Sequence, residues 1–182
     1  MSITTKTGDS GETDLMFKRR AVKDDPRIEA YGVVDELNAA LGWARANSCQ
    51  PETNQQLVAI QGDLIKLMGE VATHPEDAPK YRASRFDKLT SEDTNRLEQS
   101  ICEQEKQLPE LKGWALPGGT VESAALDLAR VVCRRAERRV ASLFKGWQPE
   151  ESQILVYLNR LSDLLWLLAR QADPQSEKER QV

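Results

Sequence analysis

The sequence predicts an all-α fold, a bundle of five helices. Three observations point there. Apolar residues recur at helical spacing in five stretches separated by proline- or glycine-bearing breaks. Charged residues make up 30% of the 182 positions and aromatic residues only 5%, a balance suited to helices with solvated faces. No stretch shows the alternation of a half-buried strand. A chain of this length builds one core. Residues 1–182 therefore read as a single domain: a polar N-terminal segment over 1–24, a bundle over 25–172 and a polar tail over 173–182.

The elements follow in order. Asp25-Pro26 is an N-cap followed by proline at the first helical position, and the first helix runs to about Asn47 with Val33, Leu37, Ala40 and Ala44 on one face. The second covers about 51–73, with Leu57, Ile60, Leu64, Leu67, Met68 and Val71 at helical spacing. A connection over 73–89, holding Pro75 and Pro79, is long enough to suggest a functional or mobile loop. Thr90-Ser91-Glu92-Asp93 signals the start of the third helix, which stops before Pro109. The turn Pro117-Gly118-Gly119 precedes Thr120, the cap of a fourth helix reaching about Phe144. Gly146 and Pro149 separate it from the fifth, about 150–172.

Composition excludes several function classes. A net charge of -4 and a pI near 5.2 argue against general nucleic-acid binding. No apolar run approaches the ~20 residues that span a membrane, and the N-terminus lacks the apolar core of a signal peptide, so the expected location is cytoplasmic. Cys49, Cys102 and Cys133 are odd in number and widely spaced, which fits reduced thiols rather than a disulfide framework or zinc site. His74 is the single histidine and reads as a surface loop residue, so no metal ligand set is expected.

The most concentrated chemistry is the run Arg130-Val-Val-Cys-Arg134-Arg135-Ala-Glu137-Arg138-Arg139 on the fourth helix. Arg130, Arg134, Glu137 and Arg138 fall on one stripe. Three guanidiniums so close repel one another unless an anion sits among them, and their planar forks match phosphate or carboxylate. The alternative is a solvated charged face. The N-terminal Thr4–Thr13 stretch, with Lys6, Gly8 and Gly11, is either an anion-binding backbone turn or a flexible end. On the first helix Tyr31, Asp35, Asn38 and Gly42 form a polar stripe from which Asp35 could meet an arginine of the fourth helix. On the fifth, Asn159, Ser162, Asp163 and Trp166 form a stripe beside the leucine face.

Five blocks in this order carry a resemblance. They are Thr5-Lys-Thr-Gly-Asp-x-Gly-x-Thr13, Lys23 through Asn38, Leu116-Pro-Gly-Gly119, Arg130 through Arg138, and Tyr157-Leu-Asn-Arg-Leu-Ser-Asp163. Together they resemble the PduO-type ATP:cob(I)alamin adenosyltransferases over nearly the whole chain. The resemblance implies a homotrimer of five-helix bundles with active sites between subunits. It implies ATP, Mg2+ and cob(I)alamin as cosubstrate, cofactor and substrate, with adenosylcobalamin and triphosphate as products. A cob(II)alamin reductase or an adenosylcobalamin-dependent enzyme would be a partner.

By position, Thr5, Lys6, Thr7, Gly8, Thr13 and Lys23 would hold the nucleotide, and Arg134, Arg135, Glu137, Arg138 and Asn159 would complete its site. Arg134, Lys23 and Asn159 would act on the reacting nucleotide, Glu137 would orient a ribose hydroxyl or an arginine, and Asp35 would pair with Arg130 across the subunit boundary. Trp114 would press on the lower corrin face. Three positions depart from the family's usual residues: Trp114 stands for phenylalanine, Asp127 for histidine and Lys18 for glycine. Two rival readings remain, a catalytically impaired carrier of ATP or corrinoid, and a regulatory bundle that uses the arginines for subunit contacts.

Overall fold

The computed structural model describes residues 4, 6–108, 115–145 and 152–173. Five long helices form the bundle: α1 (Pro26–Asn47), α2 (Pro51–Val71), α4 (Ser91–Gln107), α5 (Val121–Phe144) and α6 (Ile154–Gln171). A sixth, short helix, α3 (Ala78–Arg82), follows a 3-10 turn at Pro75–Asp77 inside the connection expected to be a loop. The expectation of no strand is corrected as well. β1 (Glu12–Asp14) and β2 (Arg20–Val22) pair antiparallel, with Thr13 opposite Ala21. Three-residue strands are too short for alternation to register, so the sequence pattern could not reveal them.

Local chemistry sets the helix starts. The Asp25 carboxylate accepts from the Arg27 amide at 2.7 Å. Thr90 and Asp93 cap α4 reciprocally, as Thr120 and Ser123 cap α5, so each helix has two first-turn amides satisfied. α1 packs antiparallel between α2 and α5, and α6 packs between α5 and α4. Leu37, Leu41, Leu57, Leu64, Leu67, Leu126, Leu158 and Leu161 are fully buried and form the centre. Each such leucine contributes about 1.5–3 kcal/mol relative to exposure.

Polar ties close the ring. The buried Arg27 guanidinium donates to the Val71 and Thr73 carbonyls, both at 2.7 Å, binding the start of α1 to the end of α2. Burial pushes its pKa below the ordinary value, against the nearby Asp25. Between α2, α4 and α6, the Asp63 carboxylate accepts from Tyr157 (2.8 Å), Lys66 (2.9 Å) and Arg96. Asp93 shares Lys66 and Arg96. The turn before α5 docks on the end of α6: Thr120 Oγ1 donates to the Ala172 carbonyl at 2.9 Å, and a Cβ on Gly119 would overlap the Asp173 carboxylate.

Candidate active site

From Gly8 onward the N-terminal segment is held by specific contacts. The Gly11 amide donates to the Gly8 carbonyl and the Lys23 amide to the Gly11 carbonyl (2.9 Å), which folds 8–11 into a turn against the start of α1. Gly11 has φ +83°, a conformation that suits glycine. A Cβ at Gly8 would stand 3.2 Å from the Lys23 ammonium, so that amine lies directly against the glycine turn. Arg20 organises the rest. Its guanidinium donates to the Thr7 carbonyl (3.0 Å) and to the Glu12 and Asp14 carboxylates (both 3.1 Å). Lys6, Thr7 and Lys23 are solvent-exposed, and Gly8 and Thr13 half-buried. Thr5 lies outside the described residues.

The connection between α2 and α4 anchors this segment. The Met16 amide donates to the Ala72 carbonyl at 3.1 Å. Arg19 pairs with Asp77 (2.7 Å) and Glu76 (3.0 Å). Phe17 lies 6.4 Å from Phe86, ring centre to ring centre, and beneath the Lys80 ammonium at 4.2 Å. Phe17 and Lys18 both have φ near +60°, the left-handed region. That conformation gives a physical reason for a glycine at the position Lys18 occupies.

The five arginines of α5 divide into two sets. Arg130 donates through Nε to Asp127 at 3.0 Å, Arg135 pairs with Glu36, and Arg139 pairs with Glu29 at 3.3 Å. The ion pairs from α5 to α1 are thus made with Glu36 and Glu29, whereas Asp35 is exposed and pairs with no arginine among the described residues. Arg134 and Arg138, one helical turn apart, remain exposed with no carboxylate in ion-pair range among the described residues. Beside them Glu137 accepts from Asn159 Nδ2 at 3.3 Å, which brings the α6 block onto the arginine stripe. Since Glu29 sits in the first turn of α1, antiparallel packing sets Lys23 at the same end of the bundle as Arg138.

The arrangement has the charge and geometry to suit an anion and offers little acid–base chemistry. The one cysteine near the stripe, Cys133, is buried and donates to the Leu158 carbonyl at 3.3 Å, and burial pushes its thiol far up, so it is not a nucleophile. His74 caps the 3-10 turn by accepting from the Glu76 amide at 3.3 Å. Among the described residues no group of three His, Cys, Asp or Glu gathers as a metal cage. Trp114 lies outside the described residues. Asp127 is buried and joins Arg130 to the equally buried Arg170 of α6. Sequence reasoning missed Arg20, Arg27 and Arg170. Arg20 faces Asp14 only in the hairpin register, and the other two depend on tertiary neighbours.

Comparison with known proteins adds a family. Residues 3–172 match the model of the cobalamin adenosyltransferases. The chain is 41% identical over 181 residues to a corrinoid adenosyltransferase of Bacillus subtilis (strain 168), covering 97% of this chain and 89% of that protein. It is 39% identical over 175 residues to the corrinoid adenosyltransferase PduO of Citrobacter freundii, where it spans half the relative's length. Among solved structures it is similar to a phenylalanine-to-alanine variant of the PduO-type ATP:corrinoid adenosyltransferase from Lactobacillus reuteri complexed with cobalamin and ATP. The TM-score is 0.84 at 36% identity, over 97% of this chain and 96% of that one. An arginine-to-lysine variant of that enzyme complexed with ATP aligns with a TM-score of 0.83 at 34% identity, over 97% and 96% of the two chains. With the bundle, the glycine turn under Lys23 and the open arginine stripe already in view, these matches leave one assignment: the chain belongs to the cobalamin adenosyltransferase family.

Proposed function

We propose that this chain transfers the 5′-deoxyadenosyl group of ATP to cob(I)alamin, releasing triphosphate. One observation carries the reading. In a run where Arg130, Arg135 and Arg139 each pair with a carboxylate, Arg134 and Arg138 pair with none among the described residues, and they flank the Glu137–Asn159 pair. An exposed cationic stripe held beside a polar clamp suits a polyphosphate.

The chemistry asks for positioning and charge. The cobalt(I) electron pair attacks C5′, a cobalt–carbon bond forms, and the C5′–O bond breaks with its electrons going to triphosphate. Cobalt(I) is a strong nucleophile, so no protein base is required. The protein must hold C5′ in line and stabilise the leaving oxygens. Thr5, Lys6, Thr7, Gly8 and Thr13 would cradle the phosphates with Lys23, while Arg134 and Arg138 stabilise the developing charge. Glu137 and Asn159 would orient the ribose. Arg135, drawn to Glu36, would contribute to the field more than to direct contact. Magnesium, when bound, would neutralise phosphate oxygens. The described residues fit an ion held by phosphates, water and at most two carboxylates, since no three ligating side chains gather among them.

A homotrimer completes the site in this reading. Trp43, Leu128 and Val131 are large apolar residues 57%, 51% and 46% exposed on α1 and α5. Arg130 commits Nε to Asp127, which leaves its outer nitrogens for the exposed Asp35 of a neighbour. Trp114 would bear on the lower corrin face. No helix among the described residues is long and apolar enough to cross a membrane, which is compatible with cytoplasmic work beside a cobalamin reductase.

The test is an anaerobic reaction of purified protein, ATP, magnesium and chemically reduced cob(I)alamin, with adenosylcobalamin and triphosphate quantified together. Equimolar products are expected. ATP binding without either product would replace the enzyme with a nucleotide- or corrinoid-binding carrier.

A further inference from the structure

Arg160 is the neighbour of Asn159 in sequence and has no part in the proposed chemistry. We propose that Arg160 is a positioning residue: it fixes the Asn159 amide in the single orientation that presents an N–H to the nucleotide. The inference rests on the reading of Asn159 as a nucleotide ligand.

A side-chain amide has an acceptor end and a donor end of nearly the same shape. Without outside constraint it can face a ligand either way round. Here both ends are constrained by charge. Arg160 Nη1 donates to Asn159 Oδ1 at 2.8 Å, and a guanidinium has no acceptor, so only the oxygen can face it. Asn159 Nδ2 donates to Glu137 Oε1 at 3.3 Å, and a carboxylate has no hydrogen to give. Turning the amide over would set N–H against guanidinium and oxygen against carboxylate, two repulsive contacts replacing two attractive ones. The amide's second N–H is left for an acceptor, such as a ribose hydroxyl or a phosphate oxygen.

Arg160 is itself held from a third helix. Its Nε donates to Glu98 Oε1 on α4 at 3.0 Å. The side chains of Arg160 and Glu98 are 37% and 48% exposed, and ion pairs at that exposure contribute little to stability. The relay Glu98–Arg160–Asn159–Glu137 therefore crosses α4, α6 and α5 at a cost in side-chain freedom that stability alone does not explain. Ser162 Oγ donates to the Asn159 carbonyl at 2.9 Å, so the backbone beneath the amide is fixed as well.

The experiment is a double-mutant cycle in the full-length enzyme. Initial rates against ATP are measured for the wild type, Arg160→Ala, Asn159→Ala and the double variant, with unfolding followed in parallel. Arg160→Ala is expected to lower kcat/KM for ATP about three- to tenfold in the wild type and to change nothing once Asn159 is alanine. Arg160→Lys, which still offers a donor to Oδ1, should recover part of the loss. Equal losses in both backgrounds would overturn the proposal, because Arg160 would then act on the ligand or the fold directly. Wild-type kcat/KM in Arg160→Ala would overturn it too. Wild-type kcat/KM in Asn159→Ala is a different failure: it removes Asn159 from the nucleotide site, and this inference falls with it.

Discussion

The charge cluster between α2 and α4 and the arginine run of α5 use the same kinds of residue and reach opposite ends. In the first, Asp63 and Asp93 share Lys66 and Arg96, and Tyr157 closes the set. Both carboxylates are nearly inaccessible, and every charge has a partner within the chain. In the second, Arg134 and Arg138 stay exposed and form no ion pair among the described residues, although acidic residues on α1 reach Arg135 and Arg139. A compensated cluster spends its electrostatics on the fold. An uncompensated one leaves it available to a ligand, as proposed for Arg134 and Arg138. Charge density alone does not separate structure from site; what separates them is whether the chain supplies the counter-charge.

The largest expected effect breaks the compensated side. Asp63→Ala would leave Lys66, Arg96 and a buried Tyr157 hydroxyl without their shared acceptor and should cost about 3 kcal/mol of stability. Urea unfolding measures it, and turnover per folded molecule should hold. An unfolding midpoint at the wild-type value would mean that water or relaxation replaces the carboxylate. Next comes the uncompensated side. Arg134→Ala should cut ATP-dependent kcat/KM at least about a hundredfold, about 2.7 kcal/mol, while stability stays within about 0.5 kcal/mol because the side chain is exposed and has no ion pair among the described residues. Steady-state kinetics beside a thermal melt would show both. A loss of stability without loss of rate would reverse the roles of the two clusters.

These opposite roles bear on what the sequence could reveal. The five long helices were legible because caps and apolar spacing are local: Asp25, Thr90 and Thr120 stand where their helices begin. The arginine stripe was legible for the same reason, as a period on one helix. Which arginines are satisfied was only partly legible: Asp127 stands one turn before Arg130 on the same helix, but Glu36 and Glu29 reach Arg135 and Arg139 only through packing. Asp35 looked the natural partner from its helical stripe, yet within the chain its neighbours Glu36 and Glu29 take that position. The short helix in the 73–89 connection and the hairpin escaped notice because each is held by contacts from elsewhere, such as Arg19 on Asp77 and Arg20 on Thr7.

A third change tests whether Lys23 belongs with the uncompensated set. It is exposed and lies against Gly8, where a methyl group would crowd its amine. Lys23→Ala should lower kcat/KM for ATP about tenfold, about 1.4 kcal/mol, without affecting the melt. Gly8→Ala probes the same contact from the other side, since the new Cβ must displace the ammonium. Matching losses in KM for ATP would join turn and lysine as one phosphate cradle; a neutral Lys23→Ala would confine the cradle to backbone and hydroxyls.

The smallest effect sharpens the compensated side by its pH dependence. Burial works to raise Asp93, but the Thr90 amide and the Lys66 ammonium outweigh it and hold the carboxyl below its ordinary range. A depressed folded pKa means stability that is present above the unfolded value and is lost as pH falls through the folded one. Glu70 works the other way. Burial raises its pKa, only partly offset by the hydroxyl of Ser152 donating at 2.7 Å. Its contribution is present below the unfolded value and is lost as pH rises through the folded one. Urea unfolding across the acid range should therefore show a shallower acid limb for Asp93→Asn than for wild type. Glu70→Gln should gain stability relative to wild type as pH rises toward neutrality. An unchanged acid limb in Asp93→Asn would mean that Asp63 alone holds Lys66 and Arg96, and that the cluster has one anchoring carboxylate instead of two.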